Sequence, residues 1–387
     1  MRVLHLIDAA SPQASSSTLA MLADTWDRQK EIEQQVVLLG GETLVAAAES
    51  VGLRDTHILG VPFGHAAWGW PALRRKLKGF GQFDLVHCWS LGALSMATVM
   101  MRGTARLLTI TQPLTKSSVN WLRILAREAR GRTALLPISN TIRRELVSGG
   151  VPEKAVVVLR PGIDMSRIDF DARAGLRRTW GIEESGYAVA LLCDPTTAGD
   201  AITGITTVGL AAETLDGPDT RICLIVHPDQ RRRRRAELIV QQTTRPYRIV
   251  QEPRISQPWQ VMPGCDVALA QGPHAGGLSL LWAMAANVPV VGEATYALSE
   301  VLEDRHSALL AKPGQRNDLA HRVECLFKDQ SLSWRLRDMA RHEAYSFFSR
   351  QRYGQSLQGI YEQLYAGCEV HVPPLEPTGG LRFSGRA

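Results

Sequence analysis

The stretch from Gln271 to Glu300 reads QGPHAGGLSLLWAMAANVPVVGEATYALSE. It follows an apolar run at Cys265 to Ala270, is broken by glycines and a proline, continues as an apolar helical pattern from Leu278, and returns to an apolar run at Val288 to Val291. Short apolar runs bounded by glycine and proline are typical of buried strands. The stretch therefore predicts a strand, a glycine loop, a helix and a second strand, which is the repeating unit of an α/β domain.

Two glycines, Gly276 and Gly277, stand at the predicted start of this helix. Glycine lets the backbone approach a ligand closely, and the first N–H groups of a helix have no partner within the helix. Such a place suits a phosphate group. A tight corner without any ligand would use the same glycines, so the pair by itself leaves both interpretations open.

Length and composition indicate a folded protein of two domains. The chain has 387 residues, of which 45% are hydrophobic and 21% charged. Its net charge of +6 permits anionic partners such as nucleotide sugars, membrane surfaces or acidic glycans. The densest basic run, Arg231 to Arg235, must wrap around most of a helix, which favours a solvated surface over an anion-docking patch.

Cysteine usage and hydropathy indicate a reduced, cytoplasmic protein, with membrane contact restricted to the inner face and peripheral. A predicted strand begins at Val3, which leaves no room for a signal peptide, and no apolar run approaches the roughly 18 residues of a membrane span. No Cys/His spacing suggests a metal site. The cysteines are scattered without a C-x-x-C pair, at positions 88, 193, 223, 265, 325 and 368.

The remaining chain alternates between apolar strands and helical patterns, which predicts two similar α/β halves. In the first half, the strand Phe83 to Ser90 carries His87 near its carboxyl end, and Gln112 follows the strand ARLLTIT. In open parallel sheets the ligand crevice lies outside that end. A further strand, AVVVLRPGID, is predicted to close this half. The predicted domains are 1–165 and 175–345, followed by a helix at 346–366 and a Pro/Gly-rich, disordered tail at 370–387.

Two stretches resemble the retaining family 4 glycosyltransferases. One is the opening stretch, and the other runs from Leu135 to Asp164. The residues that match the first motif are Gly277, Ala283, Met284, Ala285, Pro289, Val290, Val291 and Glu300. Those that match the second are Ser139, Leu146, Gly150, Val151, Pro152, Lys154, Pro161, Gly162 and Asp164.

The resemblance extends to about residue 366 and implies a B-type glycosyltransferase fold, with two Rossmann-like domains facing across a cleft. It implies that the second domain holds a nucleotide sugar, that the first holds a glycan or lipid acceptor, and that the closing helix packs back on the first domain. No metal and no cofactor beyond the sugar nucleotide are expected. The implied donor-side residues are His274, Gly276, Gly277, Leu278, Trp282 and Asp194, and the acceptor-side residues are His87 and Gln112.

Several positions depart from the family pattern. His274 and Trp282 replace its two motif glutamates, and Asp194 stands where an arginine is expected. Gly199 and Asp200 fall where the family has a lysine, and Gln112 where it has a histidine. An acid in place of a cation would repel a diphosphate by about 1 to 4 kcal/mol for a close pair. Trp282 cannot accept a hydrogen bond from ribose hydroxyls, and it fits a core position better than a stacking platform.

Two functions follow as hypotheses. The first is a glycosyltransferase with an altered donor site, in which His274 takes a polar or proton-handling role. The second is a non-catalytic paralogue that serves as a protein partner, scaffold or sugar-binding module. His274 fits a plain loop position equally well, and His87 fits a cleft or strand-end position better than an acceptor contact. A nucleic-acid role is not expected, because the basic residues are not interleaved with aromatic ones.

Overall fold

The computed structural model describes residues 1–8, 16–26, 32–39, 42–53, 57–59, 75, 77, 79, 81–128, 132–183, 186–193, 198–214, 222–226, 248–272 and 277–372. The chain divides into two compact units. Unit 1 consists of Met1–Asp164 with Phe347–Ala387, and unit 2 is the continuous segment Met165–Ser346. The basic run Arg231 to Arg235 and the tail beyond residue 372 lie outside the described residues.

Unit 1 is built on a six-stranded parallel sheet in the order β3-β2-β1-β4-β5-β6. One face buries a continuous apolar cluster that includes Leu6, Val86, Leu108 and Leu135. The elements are β1 (Arg2–Asp8), α1 (Ser16–Trp26), β2 (Glu33–Leu39), α2 (Glu42–Ser50), β3 (His57–Leu59), β4 (Leu85–Cys88), α3 (Leu91–Met100), β5 (Ala105–Ile110), α4 (Lys116–Glu128), β6 (Thr133–Pro137) and α5 (Asn140–Ser148).

Unit 2 repeats this plan with a sheet in the order β12-β11-β10-β7-β8-β9, again parallel. Its elements are α6 (Arg173–Trp180), β7 (Tyr187–Cys193), α7 (Ala198–Thr214), β8 (Ile222–Val226), β9 (Arg248–Gln251), α8 (Pro258–Val261), β10 (Val267–Gln271), α9 (Leu278–Ala285), β11 (Val290–Glu293), α10 (Tyr296–Ser299), β12 (Leu309–Ala311), α11 (Arg316–Lys328) and α12 (Gln330–Phe347). The predicted α/β class with two parallel sheets is confirmed.

The last helix, α13 (Arg350–Tyr365), belongs to unit 1 and packs against α1 and β4. Ser349 caps it by accepting a hydrogen bond from the Arg352 N–H. Gly162 must be a glycine here, because a Cβ would lie 2.5 Å from the Cβ of Tyr353. The buried stripe of the helix is the one that the apolar spacing predicts, namely Tyr353, Leu357, Ile360, Tyr361 and Leu364.

The predicted strand AVVVLRPGID is wrong as a regular element. The N–H groups of Val157 and Leu159 do reach the carbonyls of Leu135 and Pro137, at 2.9 and 3.1 Å. Within this segment, however, Val156 and Ile163 form only isolated bridges. Pro161 and Gly162 explain the interruption, since proline removes a ladder donor and glycine weakens a strand interior.

Each sheet has one position where the strand order reverses. In unit 1 this switch point lies between β1 and β4, and in unit 2 between β7 and β10. Ligands of open α/β sheets bind outside the carboxyl ends of the two strands at such a point. A ligand is therefore expected beside the residues that end β1, β4, β7 and β10 and those that begin the helices after them. In the described part of the chain, no helix is long and apolar enough to cross a membrane.

Candidate functional site

The switch point of unit 2 is formed by the end of β10 and the start of α9. Gly277 immediately precedes α9, with φ −72° and ψ −165°, and no side chain caps the helix. This backbone conformation is open to any residue, and no described atom lies within 4 Å of where a Cβ would sit. Glycine is thus not required by strain or crowding. It leaves the helix without the oxygen cap that Ser, Thr or Asp would supply at this position, so no described side chain caps the positive end of the helix dipole.

Two buried polar atoms flank this helix without a partner in the described chain. They are Oε1 of Gln271, the last residue of β10, and Nε1 of Trp282 on α9. Gln271 is 3% exposed and Trp282 is 1% exposed, and the Trp282 ring packs against Trp259 with centroids 5.0 Å apart. A buried hydrogen-bonding group without a partner lowers the free energy of unfolding by about 1 to 3 kcal/mol. Each of these two atoms is therefore expected to have a partner beyond the described residues.

The structure brings together some of the predicted donor-side residues. Gly277, Leu278 and Trp282 lie on the β10–α9 unit, where Leu278 is buried beside the helix start. His274, Gly276 and Asp194 lie outside the described residues. Gly199 and Asp200 fall in the first turn of α7, where only the backbone is described. Gln271 directly follows the apolar run Cys265 to Ala270, but nothing in the sequence marks its amide as unpaired.

At the switch point of unit 1, the N-terminus of the helix is capped by side chains of the protein. Asp8 ends β1 and is 2% exposed, and its Oδ2 accepts hydrogen bonds from the Ser90 hydroxyl and from the Ala93 N–H, the latter at 3.2 Å. Ser90 is the N-cap of α3 and also accepts from the Ala93 N–H. The N-terminus of α3 is therefore already occupied by a carboxylate of the protein itself. Asp8 was missed by the sequence analysis, although an acid directly after a buried strand is a usable signal.

His87 is the first of the two residues expected on the acceptor side, and in the structure it lies inside unit 1. Its side chain is fully buried, with Nδ1 2.7 Å from the Tyr361 hydroxyl and Nε2 2.7 Å from the Thr109 hydroxyl. Its ring stacks on Trp89 at a centroid distance of 4.4 Å. Burial lowers the pKa of His87 well below its ordinary value, with the charge of His5 as a second cause. The physical reason is that α13 covers this part of the sheet.

His5 neighbours His87 and extends the buried polar cluster. Trp89 Nε1 donates to His5 Nδ1 at 3.1 Å, so the proton of a neutral His5 is on Nε2, which donates to Gln34 Oε1 at 2.8 Å. Burial lowers the pKa of His5 to about 4, while the hydrogen bond to Gln34 acts in the opposite direction. Both histidines are therefore neutral at pH 7, and they join β1 and β4 to α13.

Gln112 lies two residues after the end of β5 and is half-buried at the carboxyl edge of the unit 1 sheet. The preceding Thr111 is buried, and its hydroxyl has no partner in the described chain. Of the two acceptor-side residues that the sequence indicates, Gln112 is the one whose side chain is not fully buried. Among the described residues, no group of three or more His, Cys, Asp or Glu side chains is placed to hold a metal ion.

Family models match both units of the chain. The model described as Glycosyltransferase Family 4 matches residues 18–167, and the model described as Glycosyl transferases group 1 matches residues 211–344. Together the two models span both units and indicate the GT-B glycosyltransferase family. A comparison with curated proteins gives no match.

Solved structures share the fold of this chain over nearly its whole length. Anabaena HepE in complex with UDP and glucose has a TM-score of 0.74 at 16% identity, covering 95% of this chain and 100% of that one. A glycosyltransferase from Rickettsia africae ESF-5 gives 0.74 at 14% identity, with coverage of 94% and 98%. Sucrose-phosphate synthase from Thermosynechococcus elongatus gives 0.69 at 14% identity, with coverage of 95% and 100%. Identities this low establish the fold alone.

Proposed function

We propose that the protein transfers a sugar from a nucleotide-sugar donor to a glycan or lipid acceptor, with retention of configuration at the anomeric carbon. In this reaction the bond from the anomeric carbon to the donor diphosphate breaks, a bond to an acceptor hydroxyl oxygen forms, and the hydroxyl proton is released. The nucleotide sugar is the co-substrate, and no other cofactor is proposed. A lipid acceptor would bring the protein to the inner face of a membrane through peripheral contact.

The observation that carries this proposal is the uncapped N-terminus of α9 at the switch point of unit 2. The departing diphosphate gains negative charge, and fixed N–H donors aimed at that charge stabilise it without reorganisation. The buried Oε1 of Gln271, which has no partner in the described chain, supplies an acceptor beside the same helix. A UDP-sugar is the first donor to test, because a structural neighbour from Anabaena was solved in complex with UDP-glucose.

Further roles are proposed for residues that the family pattern singles out. His274 would take a polar or proton-handling role beside the donor sugar, and Gly276 would admit the diphosphate to the helix start. Asp194 would face the donor, in the place of the family's arginine. Gln112 would face the acceptor, because it follows β5 at the carboxyl edge of the unit 1 sheet and is not fully buried.

A second candidate function is a non-catalytic glycosyltransferase-like protein that binds a sugar nucleotide or a protein partner. The observation in its favour is Trp282, which is packed as a core aromatic at the position of a motif glutamate. A buried indole fills volume that a ligand hydroxyl would need, and it offers no acceptor.

Calorimetric titration with UDP-, GDP- and ADP-sugars tests the proposal and separates the two functions. We expect one donor class to bind with a Kd below about 1 mM, and the His274→Ala variant to bind it more weakly. Release of free nucleotide from the bound donor, followed by chromatography, then reports slow hydrolysis by a working transferase. Binding without any release supports the binding module. The absence of binding by all three classes would rule out the transferase.

A further inference from the structure

A buried arginine with two nitrogens unpaired in the described chain lies at the amino edge of the unit 1 sheet. Arg106 is the second residue of β5 and is only 8% exposed. Its Nε and Nη1 are buried, and neither has a hydrogen-bond partner in the described chain. Burial lowers the pKa of Arg106, yet a guanidinium remains protonated in proteins. The chain therefore carries a positive charge inside unit 1 that none of its described carboxylates neutralises.

Thr133 lies beside Arg106 with a second unmet donor. The two residues are register partners on the adjacent parallel strands β5 and β6, so their side chains project from the same face. Thr133 is 4% exposed, and its hydroxyl is buried without a partner in the described chain. Val86 completes this row on β4 and belongs to the apolar cluster of unit 1. Arg106 and Thr133 thus place polar atoms without a described hydrogen-bond partner next to each other at the margin of an apolar core.

Two further arginines, both exposed, lie beside Arg106 along the backbone of this edge. The backbone N–H of Arg106 donates to the carbonyl of Arg132 at 2.9 Å, and the exposed Arg132 donates through Nη1 to the carbonyl of Gly103 at 3.0 Å. Arg102, also exposed, lies in the same turn before β5. Asp84 precedes β4 at this edge, and its carboxylate accepts a hydrogen bond from the backbone N–H of Arg2.

A charge removed from water without a partner is one of the costlier features a fold can contain, whereas a charge-assisted hydrogen bond to an anion offsets that cost. A tetrahedral oxyanion offers several acceptor oxygens, which suits two guanidinium nitrogens and one hydroxyl donor. We propose that Arg106 and Thr133 form a binding site for a phosphate group, at the amino edge of the unit 1 sheet and separate from the proposed donor site. The group would belong to a free phosphate compound or to the headgroup of an anionic lipid.

Equilibrium dialysis of the full-length protein with radiolabelled inorganic phosphate tests this site. We expect the Arg106→Met variant to bind one phosphate fewer per chain than the wild type, whatever else binds at α9. Thr133→Val keeps the shape of the side chain and should weaken that one phosphate by about tenfold, the loss of a single charge-assisted hydrogen bond. Arg178→Met removes an exposed arginine of unit 2 and serves as the matched control with unchanged stoichiometry.

Thermal unfolding provides a second measurement. Phosphate should raise the Tm of the wild type, because a ligand that binds only the folded state stabilises it, and the rise should be smaller in Arg106→Met. Without phosphate, Arg106→Met should be as stable as the wild type or more so, since it removes an unpaired buried charge. If Arg106→Met does not fold, Thr133→Val carries the test alone.

Flotation with vesicles distinguishes the two sources of the phosphate group. Arg106-dependent binding to vesicles that contain phosphatidylglycerol, but not to pure phosphatidylcholine, identifies a lipid headgroup. Arg106-dependent binding of inorganic phosphate without vesicle binding identifies a free phosphate compound. Equal phosphate stoichiometry in the wild type and in both variants would overturn the proposal, as would no phosphate binding to the wild type at about 20 mM.

Discussion

The two units share one strand order and differ in how the helix at the switch point begins. In unit 1 the N-terminus of α3 is closed by Ser90 and by the buried carboxylate of Asp8. In unit 2 the N-terminus of α9 follows Gly277 and has no side-chain cap. A helix end that already holds an internal anion cannot accept an external one, whereas an open end can. The same architecture therefore has a helix N-terminus without a described cap in unit 2 and a capped one at the matching place in unit 1.

The largest expected effect comes from placing a carboxylate under α9. Trp282→Glu would restore the acid of the family motif inside a packed core, and we expect a loss of about 3 to 5 kcal/mol in the free energy of unfolding. Urea denaturation measures it, with Trp282→Phe as the control that keeps an apolar ring. A stable Trp282→Glu variant with tighter nucleotide-sugar binding would show that position 282 faces a ligand instead of the core.

A carboxylate introduced at the N-terminus of α9 would reproduce the arrangement of unit 1, in which Asp8 lies at the N-terminus of α3. We expect Gly277→Asp to weaken nucleotide-sugar binding by about 100-fold, since the new charge caps α9 and repels the diphosphate at close range. Stability should not fall, because the backbone at Gly277 suits any residue. Gly277→Ser supplies a neutral cap and should weaken binding less, as read by calorimetry. Equal nucleotide-sugar affinity in the wild type, Gly277→Asp and Gly277→Ser would show that the N-terminus of α9 does not bind the donor.

The two units also differ in how their stability responds to acid. In unit 1, burial keeps His5 neutral. Its pKa is lowered from 6.5 to about 4, so the unfolded chain takes up a proton earlier than the folded one as the pH falls. The contribution of neutral His5 to the free energy of unfolding is fully present above pH 6.5. It falls by about 3 kcal/mol between pH 6.5 and pH 4. Urea denaturation from pH 7 to 4 should show a flatter profile for His5→Gln. His321→Gln, at an exposed position of α11, should retain the profile of the wild type.

Glu343 on α12 gives unit 2 the opposite response. Burial raises the pKa of Glu343 from 4.5 to about 7, with the charge of Glu303 adding to the rise and the Ser307 hydroxyl opposing it. The folded state holds this proton more tightly than the unfolded state does, so its contribution to stability is present below pH 4.5 and declines as the pH rises to 7. Glu343→Gln should remove that decline in the same denaturation series. An unchanged slope would mean that Glu343 is ionised in the folded protein.

The smallest expected effect concerns the closed helix end of unit 1. Ser90→Ala removes the cap of α3 and should cost about 1 kcal/mol of unfolding free energy. Ser95→Ala is a matched control within α3, where the hydroxyl only donates to the Leu91 carbonyl. Equal losses of unfolding free energy in Ser90→Ala and Ser95→Ala would show that Asp8 alone caps the N-terminus of α3.

The sequence predicted what is encoded locally. Continuous apolar runs such as VLHLI and CDVALA mark buried parallel strands, and the stripe from Tyr353 to Leu364 marks the buried face of α13. The glycine pair likewise marked the start of α9. The polar contacts were out of reach, because they join residues that are distant in the chain. His87 bonds Tyr361 across 274 positions, and Ser90 bonds Asp8 across 82, so neither partner can be identified from spacing.

The return of α13 to unit 1 has a consequence for how the protein is made. Unit 2 is one uninterrupted segment, whereas unit 1 needs residues from both ends of the chain. Tyr361 satisfies His87, and Arg350 pairs with Asp164, so the first 164 residues alone would leave buried polar groups without partners. During synthesis on the ribosome, the second unit to be translated is therefore the first that can finish folding. The first unit stays incomplete until the last helix emerges, and until then its sheet is the part of the nascent chain in need of chaperone protection.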